Sequence, residues 1–259
     1  MTQPPAVYNT LFSAFQEGKK QLFVLIDPDK ADMESLPGFV AEAEHAGVDG
    51  FLVGGSLALL PRFEDTLRHI KIAATRPVII FPGGVHQISA LADAILFLSI
   101  VSGRNPEQLI GQHVIAAPMV RELGLEAIST AYMIISSNTV TSTEFMSYSK
   151  PIPRQKPEIA AAHAMAAEML GMKLIYLEAG SGAEQTVPND MIRMVSAMVD
   201  VPVIVGGGIA RPELAAEKAA AGAAIVVIGN HFEDERNRAQ LRDFAEAVHA
   251  GPARSITEV

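Results

Sequence analysis

Leu170-Gly171-Met172-Lys173-Leu174-Ile175-Tyr176-Leu177-Glu178-Ala179-Gly180-Ser181-Gly182 is the stretch that decides the fold. A glycine just past a helix adopts positive φ without strain and turns the chain onward. Leu174 to Leu177 then read as a strand buried on both faces. The strand ends in a carboxylate, and small, flexible residues follow it. The unit recurs along the chain. Ala46-Gly47 and Ala221-Gly222 precede Val53 and Ile228 by the interval that separates Leu170-Gly171 from Leu177, and Leu123-Gly124 stands similarly before another apolar run.

Extended outward, the pattern gives eight apolar runs, at 22–26, 51–53, 78–81, 95–98, 127–135, 174–177, 203–205 and 225–228. Helical spacing falls between most of them, at about 33–46, 61–74, 106–122, 157–170, 189–199 and 212–221. The third crossover, 85–93, is short for a helix. A last helix over about 234–249 places Leu241, Phe244, Ala245 and Val248 on one face. Eight strands alternating with helices predict an α/β fold, a single (β/α)8 TIM barrel with a parallel eight-stranded core. Its 259 residues match the roughly 250 typical of that fold. The whole chain, 1–259, then reads as one domain.

An extra N-terminal helix within 1–20 carries Tyr8, Leu11, Phe12 and Phe15 at helical spacing, with Asn9 as N-cap and Gly18 as stop. It plugs or flanks the core. The segment 136–156, with Pro151, Pro153 and Lys156, is too long for an ordinary connection and reads as a lid loop, the competing reading being a plain surface loop. Met165, Met169 and Met172 are expected to fill gaps in the core.

Composition narrows the function classes. Apolar residues make up 49% and charged residues 19% of the chain, as in a protein with a large core. A net charge of −9 without a basic run argues against a nucleic-acid surface. With no Cys, disulfides, zinc thiolates and thiol nucleophiles are excluded. No apolar run approaches the ~18 residues of a transmembrane segment, and the N-terminus lacks signal-peptide character. The expectation is a cytoplasmic protein, with peripheral membrane contact left open.

All strands of such a barrel end at one face, where active sites lie. The strand ends supply Asp27-Pro28-Asp29-Lys30, Gly54-Gly55-Ser56, Pro82-Gly83-Gly84, Glu178, Gly206-Gly207-Gly208 and Gly229-Asn230. The loops after strands seven and eight commonly bind phosphate through backbone N–H groups, and these glycines leave those amides open. Plain βα turns are the competing reading. Asp27 is a candidate Mg²⁺ ligand with the Ser56 hydroxyl, since Mg²⁺ needs only one or two protein oxygens beside substrate phosphates. An Asx turn or ion pair is the alternative. Asp29 reads as a helix cap, and Lys30 faces either solvent or a diphosphate.

Glu178 is costly to bury unless paired or used. It is either a structural ion pair with a neighbouring Lys or Arg, or a general base whose pKa is raised by burial. Tyr176, two residues earlier, projects to the same side of the strand. The seven histidines show no metal-ligand spacing, and His86 reads as a turn residue.

In order from Leu25-Ile26-Asp27-Pro28-Asp29-Lys30, through Val53-Gly54-Gly55-Ser56 and Phe81-Pro82-Gly83, to Tyr176–Gly182, Gly206–Ile209 and Gly229-Asn230, the chain resembles the geranylgeranylglyceryl and heptaprenylglyceryl phosphate synthases. The resemblance implies a Mg²⁺-dependent prenyltransferase that moves a geranylgeranyl group from its diphosphate to the 3-hydroxyl of sn-glycerol 1-phosphate. It places Mg²⁺ at Asp27 and Ser56. Tyr176, Leu177, Glu178, Ala179, Gly180, Ser181, Gly182, Gly207, Gly208, Gly229 and Asn230 match the glycerol phosphate site, with Glu178 as the proton acceptor. Tyr176 either orients glycerol phosphate by a hydrogen bond, the reading preferred, or offers its ring to the developing cation. Lys30, Gly55, Gly83 and Arg104 are candidate diphosphate contacts, with a surface or helix-start role as the competing reading of Arg104.

Where the better-known branch ends its strand-six motif in Tyr-Ser-Gly, this chain has Ala179-Gly180-Ser181-Gly182. After strand four it has Ser102–Glu107 in place of an Asn and an aromatic residue. Both features resemble the second subgroup, whose members are expected to be homodimers or larger homo-oligomers. Donor length, C20 or C35, stays open. The rival readings are a sugar-phosphate isomerase or aldolase on the same fold, and a non-catalytic phosphoglycerol-binding barrel. A Schiff-base aldolase would need a Lys at a strand's end, and Lys173 precedes strand six.

Overall fold

The computed structural model describes residues 6–55 and 59–253. Eight strands, β1 (Gln21–Ile26), β2 (Gly50–Val53), β3 (Val78–Ile80), β4 (Ala94–Ile100), β5 (Glu126–Ile134), β6 (Leu174–Glu178), β7 (Val203–Gly206) and β8 (Ile225–Ile228), close into a parallel barrel in sequence order. Ten α-helices accompany them among the described residues: α1 (Ala6–Gln16), α2 (Leu36–Ala46), α3 (Phe63–Ala73), α4 (Gln112–Glu122), α5 (Ser142–Ser147), α6 (Pro157–Met169), α7 (Asn189–Met198), α8 (Pro212–Ala220), α9 (Asn230–Glu233) and α10 (Leu241–His249). A π-helical turn, Glu107–Gly111, leads into α4, and a 3-10 turn, Glu235–Gln240, leads into α10.

The predicted helix–glycine–strand unit is present four times. Gly47, Gly124, Gly171 and Gly222 all have positive φ, between 65° and 116°, at the turn into a strand. Successive side chains of a strand face opposite sides, which divides the core into two layers. In β1 and β6, Leu22, Val24, Ile26, Ile175 and Leu177 pack outward against the helices. Phe23, Leu174 and Tyr176 fill the barrel interior with Leu52, Ile79 and Leu96. Val7 and Leu11 of α1 join that inner layer, so α1 plugs the end of the barrel where the strands begin.

Several local expectations are corrected. Asn9 is not an N-cap, because α1 begins by Ala6 and Asn9 lies exposed within it. The first-turn amides of Val7 and Tyr8 instead donate to the Glu126 carboxylate at 2.8 and 2.9 Å. Asp29 caps no helix; it accepts from Leu59 N at 2.6 Å and Leu60 N at 3.1 Å, bracing the loop after β2. Met165 and Met172 pack against the core as expected. Met169, at the end of α6 beside exposed Leu170, is 85% exposed.

Two departures from a regular barrel shape the catalytic end. No helix follows β3, since 81–93 is irregular, and β3 meets β4 through only Ile79↔Ala94 and Ile80↔Ile95. The long segment 136–156 is ordered by α5, whose first turn is capped by Thr141 Oγ1 accepting from Glu144 N. It returns through a parallel bridge between Ile135 and Ile152.

Candidate active site

The alternation that buries Leu177 outward turns Tyr176 and Glu178 inward, at the end of the barrel where all strands finish. Glu178 is 7% exposed, and no Lys or Arg pairs with it among the described residues. Its Oε1 accepts from Gly180 N at 2.7 Å. Burial pushes the carboxyl up to about 7, against the Gly180 amide and the neighbouring Tyr176 hydroxyl, which favour the charged form. The ion-pair reading of this residue therefore finds no partner, and an unpaired acid that titrates near neutrality is suited to proton transfer.

Tyr176 is fully buried, and its hydroxyl lies beside the Glu178 carboxylate without reaching any protein group at full hydrogen-bond geometry. A Cβ placed on Gly206, paired with Glu178 across β6 and β7, would stand 2.7 Å from Tyr176 Oη and 2.9 Å from Glu178 Oε2. Both polar tips thus converge on one point. At Gly207 (φ +90°) a Cβ would collide with Glu178 Oε1 and stand 2.7 Å from Gly180 N, so only glycine lets this loop close on the acid.

Around these groups lies a hollow lined by Tyr176, Glu178, Ser181, Gly182, Gly207, Gly208, Gly229 and Asn230. Ser181 Oγ donates to Asn230 Oδ1 at 2.5 Å and ties the loop after β6 to that after β8. Three expected residues do not line it. Leu177 and Ala179 belong to the outer core layer, and Gly180 lies behind Glu178, packed under the Thr141 methyl.

Asp27 is on the wall of the same hollow. Its Oδ1 accepts from Asp29 N at 3.0 Å and its Oδ2 lies 3.6 Å from Lys30 Nζ, which also binds Glu233 Oε1 at 3.0 Å. Both competing readings, Asx turn and ion pair, are thus present in Asp27, and its carboxylate still faces Gly55 across the opening. Ser56 lies outside the described residues. Gly55 and Gly83 flank the opening, whereas Arg104 lies on the wall of neither cavity. Its guanidinium donates to Val101 O and Gly103 O, at 3.3 and 2.7 Å, and holds the turn before α4. His86 is exposed in a turn.

A second, apolar cleft opens where the third crossover leaves β3 and β4 uncovered. Phe81, Val85, Ile88, Ile95 and Phe97 form one side, His113 and Ala116 of α4 another, and Met146 of α5 also lines it. Gly55, Phe81, Tyr132 and Thr143 belong to both cavities, so the cleft and the hollow meet there. Tyr132 and Thr143 on the shared wall, and the buried Gln87 beside it, are positions that the sequence pattern did not single out. Tyr132 carried one usable signal, as the tyrosine of an otherwise small or aliphatic run in strand five.

The fold and site define a class: a (β/α)8 barrel with an amide-rich hollow, an unpaired buried acid on its wall, and an apolar cleft beside it. The chain belongs to the PcrB family, whose model matches residues 15–248. It is 43% identical over 244 residues to the geranylgeranylglyceryl phosphate synthase of Chitinophaga pinensis, covering 94% of this chain and 96% of that one. The enzyme of the same name from Korarchaeum cryptofilum is 44% identical over 228 residues, covering 88% and 93%. Among solved structures, (S)-3-O-geranylgeranylglyceryl phosphate synthase from Thermoplasma acidophilum, in complex with its substrate sn-glycerol-1-phosphate, superposes with a TM-score of 0.88 at 33% identity, covering 94% and 98%. Among the described residues, no helix is long and apolar enough to cross a membrane.

Proposed function

We propose that this chain transfers a geranylgeranyl group from geranylgeranyl diphosphate to the 3-hydroxyl of sn-glycerol 1-phosphate, forming an ether and releasing diphosphate. One observation carries the reading. The unpaired Glu178 carboxylate lines an amide-rich hollow that shares Gly55, Phe81, Tyr132 and Thr143 with an apolar cleft. The hollow, with the acid on its wall, suits a small phosphate ester, and the adjoining cleft suits a prenyl tail. The names of the relatives support the same activity.

Backbone N–H groups of Gly207-Gly208 and Gly229-Asn230 hold the phosphate of the acceptor. The Tyr176 hydroxyl, buried beside Glu178 with no well-formed protein hydrogen bond, donates to the acceptor and orients it. As the allylic C–O bond stretches, the acceptor oxygen attacks and Glu178 takes its proton, which is general-base help worth typically 10²–10⁴-fold. Thr143 of the 136–156 segment lines both cavities, which suits a lid that shields the reacting atoms from water.

Among the described residues no group of three or more His, Asp or Glu is arranged to hold a metal. A divalent cation would here be held sparsely, by Asp27 with substrate oxygens and water, and the Asp27 carboxylate on the hollow's wall fits that role. When bound, Mg²⁺ would supply charge neutralisation for the departing diphosphate.

A Schiff-base aldolase finds no support, because Lys173 Nζ lies 4.7 Å over the Tyr8 ring at the opposite end of the barrel. The test is incubation with sn-glycerol 1-phosphate, labelled geranylgeranyl diphosphate and Mg²⁺, with and without chelator. Ether formation that stops on chelation is expected. Absence of product with every donor from C20 to C35 would sink the activity, and equal product with chelator would remove Mg²⁺. Greater kcat/KM for the C35 donor would reassign the chain as a heptaprenyl transferase.

A further inference from the structure

The two cavities share a waist built from rings. The Phe81 and Tyr132 centroids are 5.8 Å apart, and Tyr176 lies 5.5 Å from Phe81 and 5.2 Å from Tyr132. Tyr132 is 3% exposed and stands opposite Tyr176 in the β5–β6 register. Neither cavity has a Lys or Arg on its wall among the described residues; the charged groups there are Asp27, Glu178, Glu233 and Asp234, with His231 beside them. Lys30 pairs with Asp27 and Glu233, and Arg236 pairs with Asp234, so positive charge at the waist meets the ring faces and the unpaired Glu178.

This location is where a donor whose tail fills the cleft must present its reacting carbon to an acceptor in the hollow. We propose that the faces of Phe81 and Tyr132 stabilise the positive charge that builds on the allylic carbon, which makes both rings catalytic residues of the transfer. The inference rests on the prenyl-transfer reading above. The allylic C–O bond breaks and its electron pair leaves with diphosphate. An acceptor lone pair forms the new C–O bond, and the acceptor proton passes to Glu178. The rings exchange no atoms or electrons; their negative quadrupole attracts the cation-like carbon. Tyr176, whose hydroxyl lies beside Glu178, backs Phe81 with its ring inclined by 22°.

The test replaces Phe81 with phenylalanines bearing one, two and three ring fluorines, which drain the ring face of negative potential with little change of volume. The expected result is a stepwise fall in kcat, about 2- to 30-fold over the series, with KM for glycerol phosphate steady. A role in packing alone predicts a flat series. In parallel, Tyr132→Leu should weaken binding of a prenyl diphosphate analogue carrying an ammonium at the allylic position, and leave binding of its neutral counterpart unchanged. Turnover by the unsubstituted protein with a flat fluorine series overturns the ring role alone. Equal losses for the charged and neutral analogues do the same. No ether from the unsubstituted protein overturns the ring role together with the reading it rests on.

Discussion

Glu178, the base in the proposed reaction, is held in the fold at a cost to stability above neutral pH. Its folded pKa of about 7 lies above the unfolded value of 4.5, so the folded state binds the proton more tightly. The resulting stabilisation is complete below pH 4.5 and is lost as pH rises through 7. A shift of that size corresponds to roughly 3 kcal/mol. Glu178→Gln should therefore raise the melting temperature at pH 8 relative to the parent and lose that advantage at pH 4.5. The same variant should lower kcat by about 10²–10⁴-fold with little change in glycerol phosphate affinity. In the parent, kcat should rise with pH to a plateau, with a midpoint near 7. Thermal melts and initial rates across pH check all three, and a silent substitution would remove Glu178 as base. Tyr176→Phe addresses the neighbouring hydroxyl. Losing a hydrogen bond worth about 1 kcal/mol should raise KM for glycerol phosphate about 5-fold. Folding stability should change little, because the hydroxyl makes no well-formed protein hydrogen bond and Glu178 keeps its bond from Gly180 N. The two-residue period of a strand made Glu178 and Tyr176 legible in the sequence. Tyr132 was not, because its place beside Tyr176 depends on the β5–β6 register, which no local pattern records.

At the scale of elements, the irregular third crossover matters most. Sequence spacing showed that 85–93 was short for a helix, but not what holds it. That role falls to Gln87, which is fully buried and accepts from Gly83 N at 2.8 Å while donating to Gly55 O at 3.3 Å. The pair of bonds joins the loops after β2 and β3 at the mouth shared by both cavities. Gln87→Leu would remove the bonds to the Gly83 amide and the Gly55 carbonyl, costing roughly 1–3 kcal/mol for the two together. A lower melting temperature is expected, together with a higher KM for the prenyl donor. A change in melting temperature alone would assign Gln87 to stability and not to the site. The expectations that missed, Asn9 as a cap and Asp29 as a cap, share this cause. The carboxylate that caps α1 comes from Glu126, far along the chain, and Asp29 spends its own carboxylate on a loop of the next crossover. Periodicity finds elements, whereas long-range side-chain bonds decide how their ends are held.

Across the whole molecule the barrel divides its labour between two ends. The strands' C-terminal end gathers Asp27, Glu178 and the glycine loops, and the other end is sealed by α1. That division was readable once eight strands had been counted, because a parallel barrel must bring all their last residues together. The two cavities were not readable, since the cleft exists only where a helix is missing and its walls come from non-adjacent segments. The division also makes a prediction about Leu11, which is 2% exposed and packs into the inner layer from below. Leu11→Ala removes buried apolar volume where the plug and barrel meet, a change that costs about 2–5 kcal/mol in well-packed cores. For a chain of this size the melting temperature should fall by roughly 5–15 °C. At a temperature where the variant is still folded, kcat and both KM values should match those of the parent, because Leu11 lies at the opposite end from the reacting atoms. Glu178→Gln should show the reverse pattern at pH 8, a higher melting temperature and almost no turnover. Melting curves and steady-state kinetics on the two variants side by side decide the matter. A loss of kcat in Leu11→Ala at a temperature where it is fully folded would show that the plug and the catalytic end are coupled through the barrel.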